Sequence, residues 1–138
     1  MKNLKFLLLI FFTTVFLASC ESDDDYNINE NRLLGAWYLV DETVDGFPVD
    51  IRCDFIIDFY RYTVTTFDYY GFNCASLNEY TNEYYIEGDQ IVNIDQNGTF
   101  YVDILSLSSS RLVLRRYDEY YLNGQLFFEE VITTYVPY

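Results

Sequence analysis

Histidine is absent from this 138-residue chain. Its absence removes the commonest general base, the commonest zinc ligand and every Ser-His or Cys-His nucleophile arrangement. Lysine is nearly absent too, appearing only at Lys2 and Lys5. From residue 20 onward the positive charge rests on Arg32, Arg52, Arg61, Arg111, Arg115 and Arg116, six against 22 acidic residues, a balance of −16. Such a surface is repelled by phosphate backbones and by anionic headgroups, which excludes nucleic acid as a partner. No apolar run reaches the ~18 to 20 residues of a membrane-spanning helix. The stretch over residues 6–17 is too short and is broken at Thr13 and Thr14. Helical periodicity is equally scarce after residue 33.

What is present starts at the N-terminus. Lys2 and Lys5 precede the apolar stretch, and Leu17-Ala18-Ser19-Cys20 ends it, directly before Glu21-Ser22-Asp23-Asp24-Asp25. A short positive region, a short apolar region and small residues before a cleavage point make residues 1–19 a secretory signal. The Leu-Ala-Ser-Cys ending resembles the lipobox of bacterial lipoproteins. That resemblance implies cleavage before Cys20 and acyl chains such as palmitate on Cys20, which hold a protein at a membrane stably when two or more are present. Residues 20–31 then read as the lipidated cysteine and an acidic tether without apolar period. An acidic run just after a lipidated cysteine also resembles the export tag of surface-exposed lipoproteins in some Gram-negative bacteria. The expected location is the outer membrane, at the cell surface. An exported chain meets an oxidising compartment, so Cys53 and Cys74 are expected to form a disulfide.

Residues 32–138 read as one domain. The acidity alone would suggest disorder, but 15 Tyr and 12 Phe supply ample surface to bury. The charge is therefore a solvated outer face. Period-2 patterning with β-branched and aromatic residues predicts strands at 36–44, 49–59, 61–67, 79–87, 90–94, 99–107, 111–121 and 125–135. Glu87-Gly88-Asp89, Asn97-Gly98 and Asn123-Gly124 are tight-turn signals between them. Residues 67–78 lack a pattern and read as a long loop. Eight short sequential strands predict an all-β fold, an eight-stranded antiparallel up-and-down barrel, with a two-sheet β-sandwich as the alternative.

Leu33-Leu34-Gly35-Ala36-Trp37-Tyr38-Leu39, at the start of the first predicted strand, resembles the Gly-x-Trp opening of lipocalins, and especially the lipocalin-like domains of bacterial lipoproteins. Residues 84–91 and 104–114 resemble two later hairpins of that family. The resemblance implies a barrel closed at its narrow end by Gly35 and Trp37 with an arginine lying against the indole, and Arg115 and Arg116 are the candidates. Leu112, Leu114 and Arg116 share one face of their strand. The family's Thr-Asp-Tyr motif and a helix after the last strand are both missing.

In a barrel of this size the open mouth is the default binding site for one small ligand. Tyr60, Tyr62, Phe67, Tyr85, Phe100, Phe127 and Phe128 are the candidate ligand-binding wall. Tyr69-Tyr70-Gly71-Phe72 is either an aromatic platform or a loop folded over one barrel end. Asn93-x-Asp95-x-Asn97-Gly98 mimics the start of a calcium loop, but Ile104 stands where a bidentate Glu is needed, so a hairpin turn is expected and no metal. The carboxylate pairs Asp54/Asp58 and Glu129/Glu130 are the weak candidates for a glycan hydrolase. The expected function is non-enzymatic and needs no cofactor. It is binding of a small apolar or amphipathic ligand, or of a partner protein, by a lipid-anchored barrel. The alternative is an accessory component of a cell-surface assembly whose barrel is filled by its own side chains.

Overall fold

A computed structural model describes residues 28–138. The signal segment, Cys20 and most of the acidic tether lie outside the described residues. The tether's last residues belong to the fold instead: Ile28 is buried, and Asn29 caps a single helical turn, α1 (Glu30–Leu33), by accepting a hydrogen bond from the Asn31 amide at 3.2 Å. Leu33, at the end of that turn, is wholly buried. Gly35 then redirects the chain from α1 into the first strand with φ +112°, a conformation costly for any residue with a Cβ. No atom lies within 4 Å of where a Cβ would stand, so the backbone conformation, and not crowding, requires glycine there.

Nine strands follow: β1 (Gly35–Val44), β2 (Phe47–Pro48), β3 (Phe55–Phe59), β4 (Thr63–Tyr70), β5 (Ser76–Glu87), β6 (Gln90–Asp95), β7 (Gly98–Leu107), β8 (Leu112–Leu122) and β9 (Gln125–Pro137). β2 is a two-residue strand folded back on β1, pairing Val44 with Phe47. The other eight pair antiparallel, and β9 returns to β1, with Trp37 opposite Pro137 and Val44 opposite Val131. That last pairing decides between the two expected architectures. The sheet closes on itself, so it is a barrel and not a sandwich, and closure removes the free edges of an aromatic-rich sheet. Register shifts between Leu39 and Asp41 and between Ile104 and Ser106 mark irregularities of the bulge type, which bend strands and increase twist.

Two expected boundaries are corrected. The second strand does not span 49–59. Only Phe55–Phe59 joins the ladder, because residues 47–48 turn back onto β1. The expected loop over 67–78 is largely strand: Phe67 pairs with Glu79, Tyr69 with Leu77 and Tyr70 with Ser76. Only Gly71 to Ala75 form the turn, built around a short 3-10 segment, Phe72–Cys74.

The two barrel ends differ. At one end lie α1 and the β3–β4, β5–β6 and β7–β8 turns, and it is plugged. Trp37 is 3% exposed and donates its indole N–H to the Leu33 carbonyl at 2.8 Å. Phe59 meets Tyr84 edge to face at 5.3 Å, and the Tyr84 hydroxyl donates to the Tyr60 carbonyl at 2.7 Å. At the other end lie the β1–β2, β4–β5, β6–β7 and β8–β9 turns. There the β8–β9 hairpin outruns its neighbours: β7 pairs with β8 only as far as Arg115, and β1 with β9 only from Val131.

Candidate functional site at the barrel mouth

Beneath the open end the barrel is hollow, with a cavity of about 260 Å³. Antiparallel pairing sets its lining, because residues directly opposite each other share a face. Ile57 and Thr66 are one such pair, and Leu114 and Thr133 another. Phe55, Phe59, Val64, Ile91, Val102 and Tyr135 complete the apolar wall. The polar contribution is small: Thr66, Thr133, Asn93 and Arg116. Burial pushes the Tyr135 phenol above its ordinary pKa, so it stays neutral. Asn93 Oδ1 is buried without a hydrogen-bond partner. Arg116 donates from Nε to both Asp118 oxygens, at 3.0 and 3.2 Å.

The rim beside the cavity is formed by residues 49–54 and the end of β4. The two are joined by the expected disulfide between Cys53 and Cys74. The Tyr69 amide donates to the Asp54 carbonyl at 3.0 Å, and the Tyr38 hydroxyl to Asp54 Oδ1 at 2.7 Å. Glu42, Asp50, Asp68 and Arg52 make this rim acidic on balance.

A family model for the lipocalin-like domain matches residues 33–114. The chain belongs to the lipocalin-like domain family. The match runs from the α1–β1 junction into the start of β8, so the closing strand β9 lies beyond it. Among solved structures the chain is similar to a lipocalin-like protein from Bacteroides uniformis, with a TM-score of 0.57 and 17% identity. The likeness covers 78% of this chain and 99% of that one, and it concerns the fold. No curated protein matches the sequence.

Within this lipocalin-like barrel the aromatic residues expected at the mouth do not form its lining. Tyr60 and Tyr62 flank the β3–β4 turn at the plugged end, 54% and 69% exposed. Phe67, Tyr85 and Phe128 lie on the outer face, in register with Glu79, Val92 and Glu119 respectively. Phe100 shares the inner face with Asn93 but is half-exposed, and Phe127 stacks on Tyr120 at 5.5 Å in the projecting hairpin. The expected wall is therefore corrected. Both faces of these strands are aromatic, so alternation alone did not say which face was inside.

The closure expectation is corrected in part. Gly35 and Trp37 stand at the plugged end, but neither arginine is placed with them. Arg115 points outward, 2.7 Å from Asp103 and 3.7 Å from Glu130, with its guanidinium 5.7 Å from the Tyr117 ring centroid. The Asp103 carboxyl is held below its usual range, first by the Gln90 amide and then by Arg115. Arg116 does share the inner face with Leu112 and Leu114, but it lines the cavity. Asp95 accepts from the amides of Asn97 and Gly98 at 2.6 and 3.0 Å, which makes that motif a turn. Glu129 and Glu130 are neighbours on one strand and face opposite sides. Asp54 is committed to Tyr38, and Asp58 lies opposite Thr65 on the outer face. Phe72 stands at the tip of the β4–β5 turn, 89% exposed. Sequence reasoning missed Asn93, Thr66 and Thr133 as lining residues. Their signal was a polar residue on the inward parity of an otherwise apolar strand.

Proposed function

We propose that the protein is a non-enzymatic binding protein, held at the outer membrane through acyl chains on Cys20 and facing the cell surface, whose cavity takes one small amphipathic molecule. The observation that carries this reading is the 260 Å³ hollow with a mainly apolar wall and a few convergent polar groups. Small-molecule sites are built that way, and this volume falls just below their usual range of roughly 300–1,000 Å³, which suits a small molecule. A barrel serving only as an accessory component would be expected to fill that space. Here aromatic side chains fill only the plugged end. The lipobox-like segment and the acidic tether support the anchored, surface-facing part of the reading.

The test uses the neutral dye N-phenyl-1-naphthylamine, whose emission rises in apolar surroundings. It is expected to bind the native protein and to lose about tenfold or more in affinity to Thr66→Phe, which puts a ring into the hollow. Tyr121→Ser, on the exposed hairpin, is expected to leave binding unchanged. Equal binding by Thr66→Phe would place the dye elsewhere and reject the cavity as the site.

A further inference from the structure

Closure removes the edges of this sheet only as far as its ladders run. Between β7 and β8 the ladder stops at Asp103 and Arg115, yet β7 begins at Gly98 and β8 runs on to Leu122. The wall therefore parts toward the mouth, with a free strand edge on each side of the slot. The projecting hairpin shows which backbone groups face it. The Glu130 carbonyl accepts from the Asp45 amide at 2.8 Å, and the Glu130 amide donates to Asp45 Oδ1 at 2.9 Å, so both point away from β8. Opposite residues in an antiparallel pair either bond each other or both face outward, in alternation. Tyr117, opposite Glu130, hence turns its amide and carbonyl into the slot, and the backbone of residues 119 and 121 does the same. Asp45 blocks the β9 edge at Glu130. Among the described residues no strand pairs with the β8 edge beyond Arg115.

The side chains along that edge decide what can join it. Residues 117–130 hold four acids, Asp118, Glu119, Glu129 and Glu130, and no base. Arg115, at the root of the hairpin, is already met by Asp103 and Glu130. Glu119 is exposed on the outer face, two residues beyond Tyr117. On the inner face Phe100 of β7 and Tyr120 of β8 stand exposed on the two sides of the slot. A second copy is a poor occupant. It would bring the same acids against Glu119 in a domain carrying −16 from residue 20 onward, and like charges across a strand pair destabilise it.

We propose that the β8 edge takes an extended segment of a partner protein as an added strand, a segment in which lysine or arginine alternates with apolar residues. Its main chain bonds the free amides and carbonyls of residues 117, 119 and 121. A basic side chain meets Glu119 on the outer face, and apolar side chains on the other face lie between Phe100 and Tyr120. The edge is separate from the cavity and works whether or not the cavity is filled.

Three capped seven-residue peptides separate the possibilities, titrated by calorimetry at about 0.15 M salt, where long-range attraction is screened. One alternates lysine with valine, one holds the same residues in two blocks, and one alternates glutamate with valine. The alternating basic peptide is expected to bind about tenfold or more tighter than the block peptide, because only it pairs its main chain with both faces matched. The acidic peptide is expected not to bind. Glu119→Gln should weaken the alternating basic peptide about twofold to fivefold, the worth of one cross-strand charge pair. Glu119→Pro also removes an edge-facing N–H while leaving the β8–β9 ladder bonds intact, and should abolish the preference for alternation. Equal binding of the alternating and block peptides overturns strand addition, and equal binding of the acidic peptide overturns the basic partner. Binding of none overturns both, and a preference that survives in Glu119→Pro overturns the assignment to this edge. A dimer of the native protein in sedimentation that Glu119→Pro abolishes would give the edge to a second copy and overturn the proposal. If Glu119→Pro does not fold, amide exchange on the native protein decides: the alternating basic peptide should slow residues 117, 119 and 121, and no slowing there overturns the assignment.

Discussion

Removing the Cys53–Cys74 bridge measures how the mouth is held. The bridge joins residue 53, in a segment outside the strand ladder, to the turn that follows β4, across a sequence separation of 21. Cross-linking over that distance restricts the unfolded chain, worth about 3.3 kcal/mol on the chain-entropy relation. The native rim has other ties. The Val49 amide donates to the Glu42 carbonyl at 2.9 Å, the Tyr69 amide to the Asp54 carbonyl at 3.0 Å, and the Tyr38 hydroxyl to Asp54 at 2.7 Å. These bonds do not involve sulfur and persist when it is removed. The double variant Cys53→Ala/Cys74→Ala should therefore fold to the same barrel with stability lower by about 3 kcal/mol. Urea unfolding at neutral pH is the assay, with near-ultraviolet circular dichroism reporting the native fold. The urea dependence of the unfolding free energy should also steepen, because an uncrosslinked chain exposes more surface. A loss under about 1 kcal/mol with an unchanged slope would refute the unfolded-state argument. A collapse of the near-ultraviolet signal would show instead that the bridge holds the native rim.

Two further outcomes are expected. Asp103 has its pKa lowered by Gln90 and Arg115, so its ionised form favours the fold; that contribution is complete above the ordinary carboxylate value near ~4 and is lost as pH falls through the lower folded value. Asp103→Asn should flatten the acid-side dependence of stability on pH, and an unchanged dependence would contradict the linkage. Protease treatment of intact host cells should degrade the protein if it stands at the surface, and a chain that stays whole until the cells are broken open would reject that placement.

The barrel was legible because its turns announce themselves. Asn123-Gly124 joins β8 to β9 as expected, and Gly88 and Gly98 lie at the other tight connections. The eight barrel strands and their order were expected, while the two-residue β2 was not. What was not legible is which face of each strand turns inward. Tyr85 and Tyr101 look like core residues, yet they flank Val92 on the outer surface and leave it fully buried there. Burial of an apolar residue on the outside of a barrel has no period-2 signature. The segment over 67–78 misled for another reason. Gly71, Asn73 and Asn78 are turn formers, but cross-strand pairing with β4 carries β5 back to Ser76 and overrides local preference. Arg116 was legible in its face, shared with Leu112 and Leu114, but not in its role. How deep it sits in the barrel depends on the register of β8 against β7 and β9, which its own sequence does not state.

Ile28 is packed in the same core cluster as Leu33 and Trp37, so the N-terminal chain reaches the barrel at its plugged end. Seven residues lie between Cys20 and that fixed point, eight steps along the chain and a reach of at most about 28 Å when fully extended. If Cys20 carries acyl chains, the attachment and the mouth belong to opposite ends of the barrel, and the described fold ends at its base where the tether begins.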